Sequence, residues 1–319
     1  MLDGLTETRA PFHRRLAQGP AEAEARWVML PDGVRLRAVH WARDAPMGTV
    51  LVFTGRTEYA EKYGRVAGDL RSRGYATLTV DWRGQGLSDR LRGDRSLGHV
   101  GKWSDYQRDV AAMVAHGREL GLPEPWFMLA HSMGGAIGLR ALIEGLPVRA
   151  AVFSAPMWGF AMTAALKPVA WSVSSMSRAF ALSHLLMPGA EPFNYVLCCD
   201  FADNLLTSDR ETWEWLRSHM TAEPDLGVGA PSLHWLNEAL REMRRLMWAP
   251  APKVPALGLV GSEEAVVDPA RIGRRLDDWP GARLVTLQGA RHEVLMERPV
   301  IRGRALAEVV ALFEGARKG

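Results

Sequence analysis

Trp126-Phe127-Met128-Leu129-Ala130-His131-Ser132-Met133-Gly134-Gly135 is the stretch that decides the fold. An apolar run of strand length meets a serine among small residues, and a helical pattern from Gly135 to Glu144 follows at once. A strand that turns directly into a helix at a serine thrusts the hydroxyl out of a tight, strained corner. This context makes Ser132 a candidate nucleophile rather than an ordinary serine of a strand-to-helix loop. Ala130 stands where glycine is the commoner residue, and its methyl still fits a corner that needs little bulk.

A serine nucleophile needs a base and an orienting acid. The run Ala256-Leu257-Gly258-Leu259-Val260 ends in Gly261-Ser262-Glu263-Glu264, which puts carboxylates just past a strand. The run Arg283 to Leu287 ends in Gln288-Gly289-Ala290-Arg291-His292 and puts a histidine in the equivalent loop. In a parallel sheet such strand ends share one edge, so Ser132, an acid and His292 can converge. His131 is the weaker base candidate, because its side chain is expected to leave the corner on the other side. Glu263, Glu264 and Asp268 compete for the acid. Asp268 precedes Pro269 and a helical pattern, which reads as an N-cap with proline at the first helical position. Glu264 is the preferred acid, Asp268 the alternative, and Glu263 is expected to be solvated.

Outward from these loops the chain alternates. Strands are expected at 26–30, 34–41, 49–53, 76–80, 126–130, 150–154, 256–260 and 283–287, and helices at 64–73, 104–120, 135–144, 269–278 and 300–316. Such alternation predicts an α/β fold, a mainly parallel eight-stranded sheet with helices on both faces. Pro31-Asp32-Gly33 joins the first two strands as a hairpin and gives the sheet an antiparallel edge. Alternation fails between Met157 and Trp248, where only helical segments are legible. That stretch holds six of the twelve Trp and seven of the fourteen Met. Residues 1–156 with 249–319 are therefore expected to form a catalytic core, and 157–248 an inserted helical cap. Its Met and Trp suit either an adaptable apolar tunnel or the cap's own packing.

Several further motifs carry a family likeness. They are Thr54-Gly55-Arg56-Thr57-Glu58, Lys62-Tyr63, Asp81-Trp82-Arg83-Gly84-Gln85-Gly86-Leu87-Ser88-Asp89-Arg90, Gly98-His99-Val100, Asp105-Tyr106, Gly229-Ala230-Pro231-Ser232-Leu233-His234-Trp235 and Gly289-Ala290-Arg291-His292. With the serine corner, they make the chain resemble the bacterial lysophospholipases, and more broadly the monoacylglycerol lipases, of the α/β-hydrolase superfamily. Thr54-Gly55 replaces the His-Gly pair of the monoacylglycerol lipases, and Glu264 stands where an Asp is usual. The resemblance implies an oxyanion hole from the backbone N–H groups of Arg56 and Met133. One donor following the nucleophile at a helix N-terminus and one from the loop after the third strand agree with that. Glu58 and Asp81 are expected to brace these loops. Arg56, Arg178, Arg210 and Arg217 are candidate contacts for a phosphate head group.

Composition bounds the rest. With 319 residues, 47% of them hydrophobic and 24% charged, the chain can bury a large core. A net charge of +3, without a Lys/Arg run interleaved with aromatics, gives nucleic-acid binding no support. It leaves room for peripheral contact with an anionic membrane. Cys198 and Cys199 are adjacent and poorly placed for an ordinary bridge, which suggests reduced thiols and a cytoplasmic setting. No metal-ligand pattern and no cofactor motif is legible, and no run reaches the ~20 apolar residues of a membrane span. The expected activity is hydrolysis of a lipid ester through an acyl-enzyme. A carboxylesterase on small esters is the alternative, a peptidase comes third, and a non-catalytic binding protein on the same fold is the reading outside enzymology.

Overall fold

The computed structural model describes residues 9–187 and 193–318. Eight strands form one sheet: β1 (Glu24–Met29), β2 (Arg35–Trp41), β3 (Thr49–Phe53), β4 (Ala76–Val80), β5 (Trp126–His131), β6 (Ala151–Ser154), β7 (Ala256–Gly261) and β8 (Ala282–Leu287), in the order β1-β2-β4-β3-β5-β6-β7-β8. The hairpin β1-β2 is antiparallel, β2 meets β4 antiparallel, and every other neighbour pair is parallel. The strands β3 to β7 are buried along their whole length, because helices cover both faces.

Helices α1 (Arg14–Ala17), α2 (Gly64–Arg71), α3 (Asp105–Glu119), α4 (Met133–Ile143), α5 (Leu166–Ala179), α6 (Tyr195–Cys198), α7 (Arg210–Ala222), α8 (Leu233–Trp248), α9 (Pro269–Asp277) and α10 (Pro299–Lys318) complete the chain. Two-residue periodicity sorts the sheet between two cores. Leu51, Phe53, Met128 and Ala130 join α3, α4, α8 and α9 on one face. Val50, Val52, Phe127 and Leu129 join α2, α7 and α10 on the other. Helices α5 to α8 occupy the expected break in alternation between β6 and β7.

Helix α4 starts at Met133, two residues earlier than the pattern suggests, so the corner consumes no loop. A Cβ on Gly134 would lie 2.2 Å from the Phe53 carbonyl oxygen, and one on Gly135 2.5 Å from the Pro156 side chain. Only hydrogen at both positions lets α4 approach the strand ends so closely. Ser132 itself has φ +48° and ψ −116°, a strained backbone for a side-chain-bearing residue.

Candidate active site

Strand β5 delivers Ser132, and the loops after β7 and β8 bring its companions to the same sheet edge. Ser132 Oγ lies 3.0 Å from His292 Nε2. On the far side of the ring, His292 Nδ1 lies 2.8 Å from Glu264 Oε2. Glu264 Oε1 accepts from the Val266 and Val267 N–H groups at 2.7 and 3.1 Å. Burial alone would raise the Glu264 carboxyl, but the hydrogen bond and charge of His292, with the two N–H groups, hold it below the ordinary carboxylate range. Asp268 instead accepts from the Ala270 and Arg271 N–H groups and caps α9. Glu263 is exposed and lies 3.8 Å from Arg291 Nε.

The loop after β3 is held from below. The Gly55 N–H and the Tyr63 hydroxyl both donate to Glu58 Oε2, Thr57 N–H donates to Gln85 Oε1, and Gln85 Nε2 donates to the Gly55 carbonyl. Asp81 accepts from the Ala60 and Leu87 N–H groups and from Arg37 Nε, all at 2.8 Å. Gly86 passes so close that a Cβ would lie 2.1 Å from Asp81 Oδ2. The motifs after β3 and β4 are thus one mutually braced pair of loops. Among the described residues, neither the Arg56 nor the Met133 backbone N–H meets a backbone acceptor.

His131 departs from expectation. Its side chain does not leave the site: it packs against His292 with ring centroids 4.8 Å apart and lines the same cavity. The strained corner rotates Ser132 out of strand alternation, while His131 remains the last residue of β5 and points at the β3 loop. Its Nδ1 lies 3.0 Å from the Ser154 carbonyl, and burial holds its pKa down to about 4. Beside it, Lys62 Nζ sits 2.7 Å from Glu58 Oε1 and 2.6 Å from Glu293 Oε1. Burial opposes the Glu58 charge, yet Lys62 and His131 bring that carboxyl to about 2. Glu58, His131 and Glu293 place donors within 4.8 Å of one another, as in a metal site, but the ammonium of Lys62 already bonds both carboxylates. Sequence reasoning missed this cluster, although the four-residue spacing of Glu58 and Lys62 suits a one-turn ion pair.

Over these groups lies a cavity of about 450 Å³. Gly55, Arg56, Ser132 and His292 face it, with Met157, Phe160, Met162, Leu236 and Val267 among its apolar lining. Of the Trp and Met residues between Met157 and Trp248, Trp158, Trp213 and Trp215 are buried in packing, whereas Met162, Met187 and Trp235 line the cavity. The stretch thus both packs on itself and contributes side chains to the cavity wall. Segment 205–206 reaches the loop of His292 directly, as the Leu205 and Leu206 carbonyls accept the His292 and Glu293 N–H groups. Ser232 caps α8 and bonds His99, tying the Gly229 to Trp235 motif to the core.

Of the four arginines suggested for a phosphate, only Arg56 reaches this cavity. Arg178 is paired with Glu238 at 3.0 Å, Arg217 donates to the Val196 and Cys199 carbonyls, and Arg210 stacks on Phe201. Among the described residues no helix is long and apolar enough to cross a membrane.

The family model described as "Serine aminopeptidase, S33" matches residues 44–299. Lysophospholipase L2 of Escherichia coli K12 is 32% identical over 292 residues, 88% of this chain and 83% of that protein. A probable lysophospholipase L2 of Haemophilus influenzae is 25% identical, covering 82% of each. A soluble variant of monoglyceride lipase from Saccharomyces cerevisiae, solved with a substrate analogue, superposes with a TM-score of 0.73 over 96% of this chain and 99% of that one, at 18% identity. With the sheet order, the strained corner and the extended sequence match together, the chain belongs to the α/β-hydrolase superfamily, in its lysophospholipase and monoacylglycerol lipase-like family.

Proposed function

We propose that the protein hydrolyses the acyl ester of a lysophospholipid or a monoacylglycerol through an acyl-enzyme on Ser132. The observation that carries this is the line from Ser132 Oγ through His292 to Glu264 at the floor of a largely apolar cavity. Ser132 Oγ attacks the ester carbonyl carbon while His292 Nε2 takes its proton, and Glu264 steadies the imidazolium. The backbone N–H groups of Arg56 and Met133 receive the oxyanion, each such donor typically contributing about 3 kcal/mol. His292 then gives its proton to the leaving alcohol. Water, activated by the same ring, releases the fatty acid and restores the serine.

Residues 157–248 act as the cap over a core of 1–156 and 249–319, and the acyl chain lies against Met157, Phe160, Met162 and Leu236. Helix α5 supports contact with a lipid surface. Leu166, Val169, Val173, Met176 and Phe180 share one solvent-facing side, while the helix buries Ser174 and Ser177. That inverts the pattern of a helix packed only within its own chain. The test is hydrolysis of a lysophospholipid, a monoacylglycerol and a series of esters of rising chain length. Each buried methylene is worth about 0.8 kcal/mol, so specificity should climb with chain length. A flat or falling series would replace this reading with a carboxylesterase for small esters.

A further inference from the structure

We propose that the Arg56 guanidinium binds the phosphodiester of a lysophospholipid, and that Asp200 and Asp203 in the adjoining cavity meet a cationic head group. This rests on the ester-hydrolase reading and selects between the two lipid classes it leaves together.

Arg56 sits in the loop whose backbone N–H faces the reacting carbonyl, so its side chain starts beside the ester. One hydrogen bond, Nη1 to the Gly229 carbonyl at 2.8 Å, and the face of Trp235, 5.7 Å from Cζ, hold the guanidinium in place. A guanidinium has five N–H donors in a fixed fork. The remaining ones meet no protein acceptor among the described residues, and Arg56 borders both cavities. Desolvation pulls its pKa down to about 10, and among the described residues no carboxylate offsets that loss. A half-buried arginine with no acid among the described residues around it is unusual, because such a charge is ordinarily paired. A planar fork open on one side matches the two free oxygens of a phosphodiester.

The second cavity, about 560 Å³, shares Arg56, Thr57, Met187, Tyr195 and Pro231 with the first. Asp200 and Asp203 are exposed on its wall. Ester, phosphate and amine of a lysophospholipid follow one another along a short glycerol spacer. Ser132, Arg56 and the two aspartates repeat that order of chemistries from one cavity into the next. A monoacylglycerol presents only hydroxyls beyond its ester and leaves the guanidinium without an anion.

The experiment measures kcat/KM for lysophosphatidylcholine, lysophosphatidylglycerol and a monoacylglycerol of the same acyl chain. Arg56→Gln keeps a donor for the Gly229 carbonyl and removes the charge. It should shift the ratio of either lysophospholipid to the monoacylglycerol by about 30-fold, mainly through KM, as befits a lost charge-assisted contact. Arg56→Lys should recover part of that ratio. The Asp200→Asn/Asp203→Asn double variant should lower the choline lipid relative to the glycerol one by about threefold, the scale of exposed charge pairs. An equal loss on all substrates in Arg56→Gln would reduce Arg56 to a structural brace and overturn the proposal, with ester hydrolysis still standing. A wild-type protein that cleaves none of the three lipids would overturn the ester-hydrolase reading as well.

Discussion

The loops beneath Ser132 and the outer side of α5 break the ordinary rule of burial in opposite directions. Beneath the serine, Arg37, Glu58, Glu61, Lys62, Asp81 and Glu293 are buried charges, and each is paired. On α5, aliphatic side chains face solvent while serines face Asn237 of α8. Paired buried charge gains its worth from geometry, because removing one partner strands the other. It therefore fixes the loops after β3 and β4 in place beside Ser132. Exposed aliphatic surface fixes nothing within the chain and gains its worth from what covers it. The groups around Ser132 are held from inside the fold, whereas the outer side of α5 has no such internal hold.

The comparison breaks most severely if the held groups do not act as one unit. Ser132→Ala and His292→Ala should each lower kcat by about 10⁴-fold or more while the thermal transition survives, since either loss disables the whole relay. A fluorophosphonate should label the wild type and leave Ser132→Ala unlabelled. Persistent labelling of that variant would move the nucleophile elsewhere.

Next in size is the contrast between two neighbouring acids. Glu264→Gln removes the charge that orients the His292 ring and should cost about 10³- to 10⁴-fold in kcat. Asp268→Asn should leave kcat within a few-fold and lower stability by about 1 kcal/mol, as a weakened helix cap does. The reverse ranking of kcat would place the acid four residues further along.

These two carboxylates also show what could be read without coordinates. Asp268 was legible as a cap because Pro269 follows it, and Glu264 because a strand ends at Gly261. Strands β3 and β4 match their expected bounds because apolar runs flanked by turn residues leave little freedom. His131 was not legible, since two-residue alternation holds within a strand and fails at a corner with φ +48°. The pairing of Lys62 with Glu293 joins loops after different strands, and no local pattern contains it. The fates of Arg178, Arg210 and Arg217 depend on how the helices between β6 and β7 pack, which the helical period alone does not set.

A third test concerns the charged floor in acid. His131 is held near 4 against an ordinary 6.5, and Glu58 near 2 against 4.5. Both values lie lower in the folded state, so the unfolded chain binds more protons and stability is lost as pH falls. The histidine share should disappear between about 6.5 and about 4, and the carboxylate share below that. His40, His99 and His219, also held near 4, add to the first limb. Melting temperature followed against pH should show a shallower upper limb in His131→Asn than in the wild type. Identical limbs would mean that His131 titrates normally and that the floor is open to water.

The smallest expected effect lies at the meeting of the two regions, where Phe160 and Met162 line the cavity over Ser132 and also a third cavity of about 490 Å³ bordered by Trp171, Met243 and Met247. An acyl chain that passes Met162 has apolar surface to follow toward α8. Met162→Glu should therefore reduce kcat/KM for long acyl esters by about tenfold, the worth of roughly two buried methylenes, and leave the shortest esters within a factor of about two. Short esters end before that contact, so they report the state of the reacting groups alone. A uniform loss along the series would show that Met162 only holds the helices between β6 and β7 together. A loss confined to long chains would show that these helices measure the substrate while Ser132, His292 and Glu264 carry out the reaction on every ester alike.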